Sequence, residues 1–205
     1  KKSALRSNPY AGIQRHQNWR KSFSDVETAD VDPVVNCGFR VGEDSRVATA
    51  GSCFAQHLAR ALKAAGMNYY VPEDGDPQKG YGLYSARYGN IYTTAQLDQL
   101  IDRAYGVFTP VDSVWEAPGG DRIDPFRPEI DVSADLEADR EKHFGYVRQV
   151  FENADYFVFT LGLTEAWRSK IDGAVFPLAP GVAGGAMDWE KYEFVNFDEY
   201  ETYKY

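Results

Sequence analysis

Residues 46 to 71 constrain the fold most. RVATAG reads as a short strand closed by Gly51, CFAQHLARALKAAG as a helix, and MNYYV (67 to 71) as a second strand. Phe54, Leu58, Ala61 and Ala65 fall on one helix face, with Ala55, Ala59 and Leu62 beside them, at the spacing of an amphipathic helix. Gly66 supplies a C-terminal stop. A strand-helix-strand unit is the building block of parallel sheets, so the chain is expected to be α/β. Its 205 residues suffice for one domain with a real core.

The flanking sequence divides in two. Residues 1 to 44 are polar, lack strong periodicity and are punctuated by Asp32-Pro33 and Gly42, so they read as an irregular N-terminal arm. The α/β domain is placed at 45 to 205. Within it, residues 72 to 92 form a long Gly-, Pro- and Tyr-containing loop of the kind that carries function. Thr94 is expected to cap a helix running to about Tyr105, and Pro118-Gly119-Gly120-Asp121 to turn a hairpin. Ser133 is expected to cap the next helix, with Asp135 and Glu137 in its first turn. Leu136, Phe144, Val147, Val150 and Phe151 form its buried stripe, ending near Ala154. DYFVFTLG reads as a central strand buried on both faces. A further hairpin is expected around Asp172-Gly173, followed by an aromatic, amphipathic tail.

Charge and composition exclude several roles. The net charge of -9 repels polyanions, so neither nucleic acid nor an anionic membrane surface is expected as a partner. No apolar stretch approaches the roughly 20 residues that span a bilayer. Two cysteines, Cys37 and Cys53, are too few for a disulfide scaffold or a cysteine-based zinc site, and a cytoplasmic location is the default. No cluster has metal-ligand spacing.

The chemistry concentrates at the strand-Gly-Ser-helix junction. Ser52 stands at the carboxyl end of a strand, where open α/β sheets bind ligands. The N–H groups of the first helical turn and the helix dipole converge on the same spot, so an oxyanion formed by attack of Ser52 has donors waiting. Spacing alone equally allows Ser52 to be a plain N-cap, or the helix start to bind an anion.

Four blocks in order carry a resemblance. They are Thr49-Ala50-Gly51-Ser52-Cys53-Phe54-Ala55, Tyr88-Gly89-Asn90-Ile91-Tyr92-Thr93-Thr94, Thr160-Leu161-Gly162-Leu163-Thr164-Glu165-Ala166-Trp167 and Tyr192-Glu193-Phe194-Val195-Asn196-Phe197. Together they resemble the GSCFA family, which in turn resembles SGNH/GDSL-type hydrolases. That resemblance implies a flavodoxin-like fold: a parallel sheet with flanking helices, here incomplete at the C-terminus and carrying hairpin insertions. It implies Ser52 as nucleophile and the Ser52 and Gly89 N–H groups as oxyanion donors. The family's third block normally supplies an asparagine, where this chain has Thr164; Asn90 is the alternative amide donor. The resemblance also places a late Asp-x-x-His-Pro segment past residue 205, which makes residues 1 to 205 the N-terminal part of a longer domain.

The base is missing from these residues. His16 lies in the arm. His57, five residues after Ser52, points about 140° away from it on the helix. His143 is expected on the surface of its long helix. Cys53 at a helix start can act as a nucleophile itself, but a small residue packed under the helix is the preferred reading. Arg87, Tyr88 and Tyr92 are expected to line the pocket, and Arg87 to pair with a substrate carboxylate or a nearby Asp. Glu165 either orients substrate or caps a turn, and Trp167 is a sugar platform or core. The expected function is a serine-dependent acyl-ester hydrolase or O-acyltransferase, acting without cofactor on a small acyl ester or acylated carbohydrate. The alternative is a non-catalytic glycan- or anion-binding domain on the same fold.

Overall fold

The computed structural model describes residues 10, 12–32, 34, 37–132 and 135–205. They form two compact units, residues 1–41 and 42–205. The first holds three short helical turns, Arg15–Gln17, Arg20–Ser24 and Thr28–Asp30. Within it Trp19 stacks on Phe23 at 4.6 Å between ring centroids.

The second unit mixes helices with small parallel and antiparallel sheets. Strand β1 (Val47–Ala50) leads through Gly51 and Ser52 into helix α1 (Cys53–Ala64). After the 72–92 loop comes α2 (Thr94–Ala104), then the hairpin β2 (Trp115–Glu116) and β3 (Arg122–Ile123). Helix α3 (Leu136–Asn153) runs into β4 (Tyr156–Phe159). The chain continues through β5 (Glu165–Ser169), β6 (Val175–Phe176), β7 (Tyr192–Asn196) and α4 (Glu199–Lys204).

β1 pairs in parallel with β4, with Val47 opposite Tyr156 and Ala50 opposite Phe159. On its other side β1 meets residues 68–70 in a parallel bridge, Val47 to Tyr69, held by Val47 N–H to Asn68 O (3.0 Å) and Tyr70 N–H to Val47 O (2.9 Å). The expected 67–71 strand is thus reduced to one bridge. β5 lies between β6 and β7 in an antiparallel sheet, and the expected turns at 118–121 and 172–173 connect β2 to β3 and β5 to β6.

The core explains the element choices and corrects four expectations. α1 turns its alanines inward: Ala55 and Ala59 are buried, while Phe54, Ala61 and Ala65 are exposed. The small side chains of Ala48, Ala50 and Ala55 let the helix approach β1 closely, and a phenylalanine would not fit there. α3 buries Leu136, Val147 and Val150, each valine contributing roughly 1.5–3 kcal/mol by leaving water. His143 lies on that same face and is buried, not at the surface, because it falls seven residues after Leu136 and four before Val147. Thr93, not Thr94, caps α2: its side chain accepts from Gln96 N–H, and Gln96 returns a bond to the Thr93 N–H. β4 is half-buried throughout, not buried on both faces, and pairs with β1 alone among the described strands. The expected cap Ser133 lies outside the described residues; Asp135 accepts from Ala138 N–H at the start of α3.

Candidate active site

β1 stops at Ala50 because the chain must turn sharply to enter α1. Gly51 makes that turn at φ +142, where a Cβ would lie 2.0 Å from Thr160 Oγ1 and 3.0 Å from the Thr160 carbonyl oxygen. Only glycine fits, on both steric and backbone grounds. The close approach lets the Thr160 N–H bond to Ala50 O at 3.1 Å, carrying the β1–β4 ladder up to the turn.

Ser52 follows, half-buried, in the N-cap position with φ -87 and ψ -166. Its side chain makes no capping hydrogen bond. The hydroxyl is therefore not spent on the helix, which separates it from an ordinary N-cap serine. By the geometry of a helix start, the N–H groups of Cys53 and Phe54 lack intrahelical acceptors. A Cβ placed on Gly162 would lie 3.7 Å from Ser52 Oγ, so the bare glycine faces the hydroxyl directly.

Main-chain bonds join three of the four sequence blocks around this serine. Ile91 N–H donates to Gly51 O at 3.0 Å. The Tyr92 carbonyl oxygen accepts from Gly162 N–H at 3.2 Å and from Leu163 N–H at 3.0 Å.

Asn90 enters the site through side chains. Gln56 lies four residues after Ser52, hence on the same helix face. Its Nε2 donates to Tyr84 Oη at 2.9 Å, and Tyr84 Oη donates to Asn90 Oδ1 at 2.7 Å. The Asn90 N–H donates to Glu129 Oε1 at 2.5 Å. That carboxylate also fills the space over Gly89, which sits at φ +68: a Cβ on Gly89 would meet Glu129 Oε1 at 2.5 Å. Burial pushes the Tyr84 phenol up to about 12, against a lowering bond from Gln56 and with help from the charge of Glu129. Burial also raises Tyr92, seconded by Glu129 and Cys53, which puts the Tyr92 phenol in the same electrostatic neighbourhood.

The model of the GSCFA family matches residues 46–205. The chain belongs to the GSCFA family. The match begins one residue before β1 and takes in Ser52, Asn90, Gly162 and every strand and α-helix of the second unit. No curated protein and no solved structure matches the chain.

Other predicted residues of the GSCFA region lie elsewhere. Cys53 is exposed, not packed under α1. Thr164 Oγ1 donates to Asn196 Oδ1 at 2.6 Å, bracing the end of the β5–β7 pair. Thr164 and Glu165 line a cavity of about 380 Å³ with Thr93, Gly162 and Phe197; this cavity adjoins Gly162, and Ser52 is not part of its wall. Trp167 is half-buried: it packs against the Trp115–Phe176 cluster and stands beside the exposed rings of Trp189 and Phe194, at 5.7 and 5.6 Å between centroids. Tyr88 is buried and its hydroxyl bonds to Thr49 O, so it supports β1 from within, while it also borders a small internal void with Asn90 and Ile91.

Arg87 is also buried. Its guanidinium donates to Tyr81 Oη (2.8 Å), Asp139 Oδ1 (3.2 Å) and the Asp131 carbonyl (2.8 Å), and its own N–H donates to Glu73 Oε2 (2.7 Å). The nearby Asp of the expectation is Asp139. Glu73 Oε2 lies 2.7 Å from His143 Nδ1. Burial, then the charge of Arg127, drives His143 below its ordinary value. Burial pulls Glu73 up, but the bonds from His143 and the Arg87 N–H outweigh it and leave the carboxyl low. A neutral His143 donating to an ionised Glu73 satisfies both, and Nε2 remains buried without a partner. His57 is exposed on α1.

Gln56, Tyr84 and Glu129 carry no signal in the blocks. The i, i+4 relation of Gln56 to Ser52 was visible; the pairing with Tyr84 spans 28 residues and that of Asn90 with Glu129 spans 39.

Proposed function

We propose that the protein is a serine-dependent acyl-ester hydrolase or O-acyltransferase with Ser52 as nucleophile. The observation that carries this reading is the Ser52 hydroxyl: it stands at a helix start, makes no capping bond, and faces Gly162 with no side chain between. Ser52 Oγ attacks the ester carbonyl and gives up its proton to a base. The carbonyl oxygen becomes an oxyanion, received by the N–H groups at the α1 start and by Asn90. Collapse expels the alcohol, which takes a proton, and leaves an acyl-serine. Water or a second hydroxyl then completes hydrolysis or transfer. His143 is occupied by Glu73 and is not that base. Phe54, Leu161 and Leu163 are exposed on either side of the serine and the glycine facing it, a rim suited to an acyl group or the flat face of a sugar ring.

The strand order supports an SGNH-type, flavodoxin-like sheet. The 68–70 segment, β1 and β4 lie side by side in parallel, the 2-1-3 start of that arrangement, with Ser52 at the carboxyl end of β1. The preferred substrate is a small acyl ester, acetyl on a carbohydrate.

Two observations favour the second reading, a non-catalytic anion- or glycan-binding domain. The Asn90 N–H already holds a carboxylate, that of Glu129, and Thr164 is committed to Asn196. Labelling of the full-length protein with a fluorophosphonate separates the two. Rapid labelling abolished by Ser52→Ala is expected; no labelling of a folded protein would leave the binding reading standing.

A further inference from the structure

We propose, on the acyl-serine reading above, that Tyr84 and Gln56 are positioning residues that hold the Asn90 side-chain amide as an oxyanion donor. Asn90 is fixed at two points, its N–H by Glu129 (2.5 Å) and its side-chain carbonyl by the Tyr84 hydroxyl (2.7 Å). A planar amide held by its oxygen has its NH₂ direction set as well. That NH₂ is the group left to donate to something else. Thr164, which fills the slot where an asparagine is expected, has its hydroxyl on Asn196 and offers no such donor.

The relay is anchored on the nucleophile's own helix. Gln56 stands one turn along α1 from Ser52 and reaches Tyr84 Oη at 2.9 Å. Ile91 N–H on Gly51 O pins the next residue of the loop to the nucleophile turn. The amide is thereby tied to Ser52 from both directions: through the main chain at 91 and through the side chains of 84 and 56. Tyr84 is 3% exposed, so its hydroxyl has these two partners in place of water. With its pKa pushed up to about 12 it stays protonated and keeps donating across the working range of any esterase.

The test is a double-mutant cycle on the full-length protein, with p-nitrophenyl acetate as substrate and fluorophosphonate labelling of Ser52 as a second readout. Asn90→Ala is expected to lose about 10²–10³-fold in kcat, the usual cost of one oxyanion donor. Tyr84→Phe, which removes only the hydroxyl, is expected to lose about tenfold in kcat with KM unchanged, because a misdirected donor still donates part of the time. In the Asn90→Ala background, Tyr84→Phe is expected to cost nothing further. A merely structural tyrosine would lower both backgrounds alike. If Tyr84→Phe does not fold, Gln56→Leu carries the same test, with about a threefold loss in kcat that vanishes in the Asn90→Ala background.

The proposal is overturned if kcat of Tyr84→Phe stays within about twofold of the parent, or if that change slows Asn90→Ala further. Either result leaves the acyl-serine reading intact so long as labelling still depends on Ser52. If the parent neither labels nor hydrolyses, the acyl-serine reading fails first and the relay loses its role with it.

Discussion

Gly51→Ala tests the geometry on which the site rests. Two separate costs are built into that position. At φ +142 an alanine backbone is strained by roughly 1–3 kcal/mol. The added Cβ also overlaps Thr160 Oγ1 at 2.0 Å and presses on the Thr160 carbonyl at 3.0 Å, and overpacking of this kind costs roughly 1–3 kcal/mol. Urea unfolding should therefore show a loss of roughly 2–6 kcal/mol, with the m-value unchanged. The two parts separate in a second background. Thr160→Ala removes the nearest atom, a buried hydroxyl oxygen without a partner, and alone should change stability by less than about 1 kcal/mol. Gly51→Ala made on top of Thr160→Ala should then cost less than in the parent but no less than the backbone share, roughly 1–3 kcal/mol, because the residue-160 carbonyl and Cβ remain at 3.0 and 3.2 Å. A loss under about 1 kcal/mol in the parent background, or complete relief by Thr160→Ala, would refute the claim that both sterics and backbone demand glycine here.

Three further outcomes are expected. Ser52→Ala should change unfolding stability by less than about 0.5 kcal/mol, where a capping serine costs about 1 kcal/mol; a cap-sized loss by urea unfolding would mean the hydroxyl serves the helix after all. Stability should fall on acidification in two overlapping stages, read by thermal melts between pH 8 and 4. His143 and Glu73 both sit below their ordinary values of 6.5 and 4.5, so the unfolded chain takes up protons first: the His143 share of stability is full above about pH 6.5 and lost progressively below it, and the Glu73 share is full above about 4.5 and lost below that. His143→Gln keeps a donor for Glu73 but cannot titrate, and a melt that still softens between pH 7 and 5 in this variant would remove His143 as the cause. Cys53, being exposed, should alkylate with iodoacetamide in the native protein at a rate unaffected by Ser52→Ala; protection until unfolding would contradict its placement.

What the sequence disclosed was local. The strand-Gly-Ser-helix turn, the two hairpin turns and the C-terminal ends of α2 and α3 each depend on residues a few positions apart, and spacing reads such things well. The failures over burial share one cause: it is decided by distant partners. Phe54 and Ala55 are neighbours on α1, and only the tight approach to β1 selects the alanine for the inner face. His143 stands on an apolar stripe and looked exposed because histidine is polar, yet Glu73, seventy residues away, makes its burial acceptable. Arg87 and Tyr88, adjacent to Gly89 in sequence, point into the protein because alternate groups in that loop serve α3 and β1. Tyr84 and Glu129 belong to the site by the same long-range logic and had no marker at all.

The bonds from Ile91 N–H to Gly51 and from Gly162 and Leu163 N–H to the Tyr92 carbonyl involve no side chain. The spacing between the three loops is consequently indifferent to which side chains stand at 91, 92 and 163, within the limits of packing. On the acyl-serine reading, ligand preference can be rewritten at Tyr92 and Leu163 while the reacting atoms keep their places, so the scaffold separates what is recognised from where the chemistry happens.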